Sequence, residues 1–282
     1  VNEAPRAAIL VTGSEILLGR TLDRNSNYLA RQLDDLGIRL ERVVAVDDRE
    51  DRLRAALDEL RGLDVDLICT TGGLGPTHDD RTVAVVAQAT GRPLQRDPQM
   101  YDEIVRIVEG YAELRGVPVE GLLPGAAKQA LLPTGAIGLS PAGTAPGVIV
   151  PDRPLIVILP GPPAELAEVW SRALAHPALA DLVRNDRLER HVLRVWNTPE
   201  STVARAFEEL GGDRDGTETS ICASRLEVEV VIRMPPSARD HGDALAAGLQ
   251  ERLGQAVYAT DARSLEERVV ADLIARDWTI AT

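Results

Sequence analysis

Lysine is almost absent from this 282-residue chain: of 31 basic residues one is lysine, Lys128, and the others are arginine. A lone lysine in such a background marks either a position where a compact ammonium succeeds and a planar guanidinium fails, or a surface survivor. Cysteine is scarce too, with Cys69 ending one apolar run and Cys222 inside a strand-like one. Two such thiols make no disulfide framework and suit a reducing cytoplasm. Aromatic residues make up 3%, with Phe207 the sole phenylalanine, which removes the stacking platforms used on single-stranded nucleic acid. The net charge of −13 leaves no basic face for neutralising a phosphate backbone. No apolar run approaches the roughly 20 residues of a membrane span, and the first residues lack the pattern of a signal peptide. The expectation is a cytoplasmic protein with neither a nucleic-acid nor a membrane partner. At 44% hydrophobic over this length, more than one core can be built.

What is present concentrates in residues 65–82, VDLICTTGGLGPTHDDRT. The apolar run 65–69 reads as a buried parallel strand that stops at Thr70, Thr71, Gly72 and Gly73. Gly75 and Pro76 then hold a tight loop until Thr77 or Asp79 caps a helix beginning near Arg81. At such a turn, glycine amides and the following helix N-terminus favour a phosphate. Asp79 and Asp80 would repel a bare phosphate, so a divalent metal ion is expected between them and the ligand. The plainer alternative is a pair of first-turn carboxylates that complement the helix dipole.

Residues 1–170 alternate strands near 7–12, 40–46, 65–69 and 155–159 with helices near 25–36, 50–60, 80–89 and 98–114. That alternation predicts an α/β fold, a mostly parallel sheet with helices on both faces, closed by a helix over 164–175. The Gly- and Pro-rich segment 128–150 reads as loops and short strands. Ligands of such sheets bind beyond the carboxyl ends of the strands. Gly13, Gly72 and Pro160 follow strand ends, so Glu15, Asp79 and the PGPP loop at 160–163 are expected to meet in one crevice. Asp47 and Asp48 either line that crevice or cap the next helix, with capping the preferred role. His78 has no second histidine at metal-ligand spacing and reads as a loop residue.

Further along, strands near 192–196, 219–222, 226–234 and 256–259 and helices near 201–210 and 239–253 follow the order of a small α+β split βαβ domain. Gly211-Gly212-Asp213-Arg214 reads as a helix end with a turn, not as a nucleic-acid loop. A packing or dimerising role is therefore expected here, with a homodimer as the assembly. A capping box at Ser264 to Glu267 opens a helix over 265–275, and 278–282 begin a strand.

Several of these segments together resemble the CinA (competence/damage-inducible protein A) family. They are TTGGLGPTHDD at 70–80, AILVTGSEILL at 8–18, residues 23–36, KQALLPTGAIGLSPAGTAPG at 128–147 and LPGPPAEL at 159–166. Ser14 and Ser140 depart from the family's pattern. The resemblance implies a MoaB/MogA-like molybdopterin-binding fold over 1–175, a KH-like domain over 176–260 and, over 261–282, the opening of an amidase domain. It implies hydrolysis of ADP-ribose or a related pyrophosphate-linked nucleotide, with the divalent metal on Asp79 and Asp80. Catalysis would rest on Asp79, Asp80, Lys128 and Glu15. Substrate would be held by Thr71, Gly72, Gly73, Gly75, Gly13, Asn25, Pro160, Gly161 and Glu165. Amidase activity is not expected of this chain. The alternatives are molybdopterin adenylyl transfer, as in MogA-like proteins, and a nucleotide-sensing regulatory or assembly protein without turnover.

Overall fold

Strands without polar alternation build the first of two units, Val1–Arg187 and Leu188–Thr282. The computed structural model describes residues 4–183 and 188–281. In chain order the first unit runs β1 (Arg6–Thr12), α1 (Ser14–Leu17), α2 (Asn25–Asp35), β2 (Arg39–Val46), α3 (Glu50–Arg61), β3 (Leu67–Thr71), α4 (Thr82–Ala89) and β4 (Leu94–Arg96). It continues with α5 (Pro98–Arg115), α6 (Leu123–Gln129), β5 (Leu131–Pro133), β6 (Ile137–Leu139), β7 (Gly147–Val150), β8 (Leu155–Leu159), α7 (Pro163–Ala175) and α8 (Pro177–Val183).

Six strands pair in the order β2-β1-β3-β8-β7-β6. The first four are parallel, and β7 and β6 join antiparallel. Successive side chains of a central strand go to opposite faces, and here both faces are covered. Ile9, Cys69 and Val157 pack with Leu29 and Leu33 of α2 and Leu166 and Trp170 of α7. Leu10, Ile68 and Ile156 pack with Leu53 and Leu57 of α3 and Val85 of α4. Double burial is why these strands read as unbroken apolar runs.

Several local expectations change. β3 runs through Thr70 and Thr71, both fully buried, instead of stopping at them, since a β-branched threonine suits a strand. α4 starts at Thr82 with Arg81 at its N-cap and no capping side chain, so neither Thr77 nor Asp79 caps it. Lys128 sits in the last turn of α6, where a loop was expected. α1, α6 and α8 are four to seven residues long, too short to show a helical period.

The second unit runs β9 (Glu189–Trp196), α9 (Glu200–Glu209), β10 (Glu218–Ser224), β11 (Glu227–Met234), α10 (Arg239–Leu253), β12 (Val257–Ala259) and α11 (Leu265–Ala275). Its sheet has the order β10-β11-β9-β12, and every pairing is antiparallel. Leu193, Val195, Val230 and Ile232 face Val203 of α9 and Leu245 and Leu249 of α10. The other face carries Arg194 in ion pairs with Glu227 and Glu229. The Tyr258 hydroxyl donates to Glu227 at 2.6 Å, and burial first, then that carboxylate, push its pKa to about 12. Gly212, at φ +63°, closes the end of α9. The capping box forms at Ser264, whereas residues 278–281 form no strand because no described strand pairs with them. Among the described residues no helix is long and apolar enough to cross a membrane.

Candidate functional site

The parallel strands end together: Thr12 pairs with Val46, Val11 with Thr71, and Thr71 with Leu159. β2 lies on one side of β1 and β3 on the other, so the chain reverses direction across the sheet at β1, where open α/β sheets bind ligands. A crevice of about 460 Å³ opens there. Gly13 and Glu15 after β1, Asn25 of α2, Asp48 after β2, Thr71, Gly72, Gly73, Asp79 and Asp80 around β3, and Gly161 after β8 all line it. Glu15, Asp79 and the PGPP loop, through Gly161, Pro162 and Pro163, therefore meet in one crevice as expected. Gly75, Lys128, Pro160 and Glu165 stand beside the crevice and do not line it.

The glycine turn is shaped by what a side chain would strike. A Cβ on Gly72, at φ +97°, would lie 2.3 Å from the Thr12 carbonyl, and one on Gly73, at φ +64°, 2.3 Å from Thr82 Oγ1. The Thr82 hydroxyl donates to the Gly72 carbonyl at 2.8 Å and fixes the turn from α4. The Gly72 amide, expected to face a phosphate, instead donates to the Leu159 carbonyl at 3.1 Å and extends the sheet. The next three amides, of Gly73, Leu74 and Gly75, have no acceptor among the described residues. Consecutive free N–H groups of this kind attract anions.

Beyond them the Thr77 N–H donates to Asp80 Oδ2 at 2.9 Å, and the Thr77 hydroxyl sits between the Asp79 and Asp80 carboxylates. The Thr77 hydroxyl is the main cause that holds the Asp79 carboxyl below its ordinary pKa. The Lys128 ammonium donates to the carbonyls of Gly75, at 3.3 Å, and Thr77. Its pKa is lowered by burial, against the opposing pull of Asp80 and Asp79. Gln129, buried, donates to the Leu74 carbonyl at 2.9 Å. α6 thus grips the loop through two adjacent residues.

Asp48 is the main revision. It accepts from the Thr12 hydroxyl at 3.0 Å and from the Ser14 amide and hydroxyl at 2.9 and 2.8 Å, so it lines the crevice and ties β1 to β2. The capping role fails because α3 begins after Arg49 with no side-chain cap, and Asp47 bonds to Arg49. Pro160 contributes a carbonyl that accepts from the Thr71 hydroxyl at 3.0 Å. Glu165 packs its carboxylate on Gly143, where a Cβ would be 2.4 Å away, and burial raises its pKa. His78 is exposed on the loop.

The donor set limits the metals that fit. Among the described residues no three His, Cys, Asp or Glu side chains are grouped to hold an ion. A structural zinc site is thus not preformed. Adjacent Asp79 and Asp80 suit a hard cation of the magnesium type, which binds through one or two carboxylates and completes its shell with water and substrate phosphate.

Residues 8–181 match the family described as "Probable molybdopterin binding domain". Over 275 residues the chain is 39% identical to the CinA-like protein of Mycolicibacterium vanbaalenii, covering 96% of this chain and 65% of that protein. The chain belongs to the CinA-like family. Its identity to the CinA-like protein of Mycobacterium tuberculosis is 36% over 279 residues, with 96% of this chain and 65% of that protein covered. The chain therefore spans 65% of the length of these CinA-like relatives. A solved structure, the protein CinA of unknown function from Thermoplasma acidophilum, superposes with a TM-score of 0.53 at 30% identity, covering 64% of this chain and 98% of that one. The first unit is the molybdopterin-binding-like part of a CinA-like protein.

Sequence reasoning missed Thr82 and Gln129 as supports of the glycine loop. Gln129 left one signal, a lone uncharged polar residue inside the apolar stretch AAKQALL.

Proposed function

We propose that this CinA-like chain binds ADP-ribose or a related pyrophosphate-linked nucleotide and hydrolyses its pyrophosphate link with a divalent metal ion. The observation that carries the reading is the unpaired Gly73 amide, which lines the crevice together with Asp79 and Asp80 of the same loop. Amides of this kind hold a phosphate without adding charge, and the two carboxylates hold the cation that lets the phosphate approach. When bound, the cation neutralises pyrophosphate charge and makes a bound water more acidic.

The chain's own residues then do three things. Gly73 fixes a phosphate through its N–H group. Glu15, at the mouth of the same crevice, orients water near it. Lys128 holds the Gly75 and Thr77 carbonyls in place, and its ammonium adds positive charge beside Asp79 and Asp80. Gly13, Asn25, Thr71 and Gly161 shape the remaining wall. The second unit serves packing and a homodimeric assembly in this reading.

The test is incubation of the purified chain with ADP-ribose and magnesium, manganese or cobalt, with chromatography of the products. AMP and ribose 5-phosphate should appear and should vanish with a chelator. Tight binding of ADP-ribose without products would make the chain a sensor. The match to a molybdopterin-binding family favours one other reading, adenylyl transfer to a molybdopterin, which would appear as adenylylation of the pterin with ATP.

A further inference from the structure

Resting on the reading that this crevice takes a nucleotide, we propose that its wall of Leu22, Pro162 and Pro163 receives the planar base, and that Leu22 sets the preference for a base-bearing ligand over a bare sugar phosphate. The crevice has two chemical characters. Its lining combines polar groups, among them the Gly73 turn, Asp79 and Asp80, with the apolar Leu22, Pro162 and Pro163. Leu22 keeps 79% of its surface exposed while lining the crevice, so its apolar area is available to a ligand. The Asn25 amide donates to the Gly161 carbonyl at 2.7 Å, which sets the segment carrying Leu22 beside the one carrying the two prolines. A flat, weakly hydrated ring gains from covering such a wall, whereas a ribose does not.

On the segment that carries Leu22 the crevice is also lined by Thr21, Asp23, Arg24 and Asn25. Asp23 accepts from the Ser26 amide at 2.9 Å with one oxygen and from the Ser26 hydroxyl with the other. Asn25 has both amide hydrogens committed, to Thr71 Oγ1 and to the Gly161 carbonyl, while its buried Oδ1 has no partner among the described residues. Specificity for a hydrogen-bonded edge needs free donors and acceptors aimed at it. The apolar side chains of Leu22, Pro162 and Pro163 supply neither, so they select for a ring and not for its edge.

Calorimetry of the whole chain with magnesium and either AMP or ribose 5-phosphate tests this. Neither compound has a pyrophosphate link, so the result is read whether or not ADP-ribose is hydrolysed. AMP should bind at least about tenfold more tightly than ribose 5-phosphate, a modest hydrophobic increment. Leu22→Ser, at an exposed position, should bring AMP to within about threefold of ribose 5-phosphate and leave the sugar phosphate unchanged. Equal binding of AMP and ribose 5-phosphate, or no binding of either, overturns the proposal. So does an equal loss of both ligands in Leu22→Ser, which would make Leu22 a support of the loop. Absence of ADP-ribose hydrolysis alongside an intact AMP preference would remove the enzymatic reading and keep this one.

Discussion

The Asn25 side-chain amide donates to the Gly161 carbonyl at 2.7 Å, a contact between residues 136 positions apart, and also to the Thr71 hydroxyl at 2.8 Å. One residue at the start of α2 thus ties the ends of β3 and β8 together over the crevice. Two neutral hydrogen bonds of this kind are together worth about 1–3 kcal/mol. Asn25→Ala should lower stability by about that amount in urea unfolding and weaken nucleotide binding more than it changes the fold. Asn25→Asp should do worse than alanine, because it loses the same donor and also sets a charged oxygen against the Gly161 carbonyl. A stability for Asn25→Ala equal to that of the native chain would show that other contacts hold the loops.

Gly73 and Gly91 share a φ of +64°, yet only Gly73 has an obstructing neighbour: its Cβ would meet Thr82 Oγ1 at 2.3 Å, whereas a Cβ on Gly91 meets nothing within 4 Å. The pair separates left-handed strain from collision. Gly91→Ala should cost about 1 kcal/mol, the strain alone. Gly73→Ala should cost clearly more and should abolish ligand binding, because the turn must move off the Thr82 hydroxyl. Equal thermal midpoints for the two variants would mean that the turn relaxes freely.

The legible parts of this chain and the hidden ones differ in range. β1 and β8 are visible in the sequence because burial on both faces leaves apolar runs, and the glycine turn is visible because positive φ demands glycine at Gly72 and Gly73. Asp48 is hidden because its role depends on pairing β1 with β2, which brings it to Ser14 across 34 residues. Gln129 is hidden likewise, as Leu74 lies 55 residues away. Neither side chain has a local pattern to announce it. The Gly72 amide illustrates a third case: its glycine is required, but the neighbouring strand takes the N–H that a ligand was expected to take.

Lys128 bonds to two loop carbonyls, and an arginine would reach the same place with a wider, planar head. Lys128→Arg should therefore impair turnover nearly as much as Lys128→Ala, while thermal stability changes little in either. Comparing steady-state rates with melting curves for the two variants checks this. Normal turnover in Lys128→Arg would show that any cation suffices.

Glu165 supplies a prediction in pH. Burial raises its pKa above the ordinary 4.5, so the folded chain holds this proton more tightly than the unfolded one. Stability from that excess binding is complete below the ordinary pKa and declines as pH rises through the folded value. Glutamine resembles the neutral acid in shape and does not ionise. Glu165→Gln should therefore match the native chain near pH 4 and gain in relative stability toward pH 7, because only the native side chain must place a charge against Gly143. Melting temperatures of both proteins across that range give the answer, since acid effects common to the two cancel in the difference. A gap that closes toward neutral pH would mean that the carboxylate has gained a donor in solution, and Glu165 would then be stabilised as an anion beside the crevice.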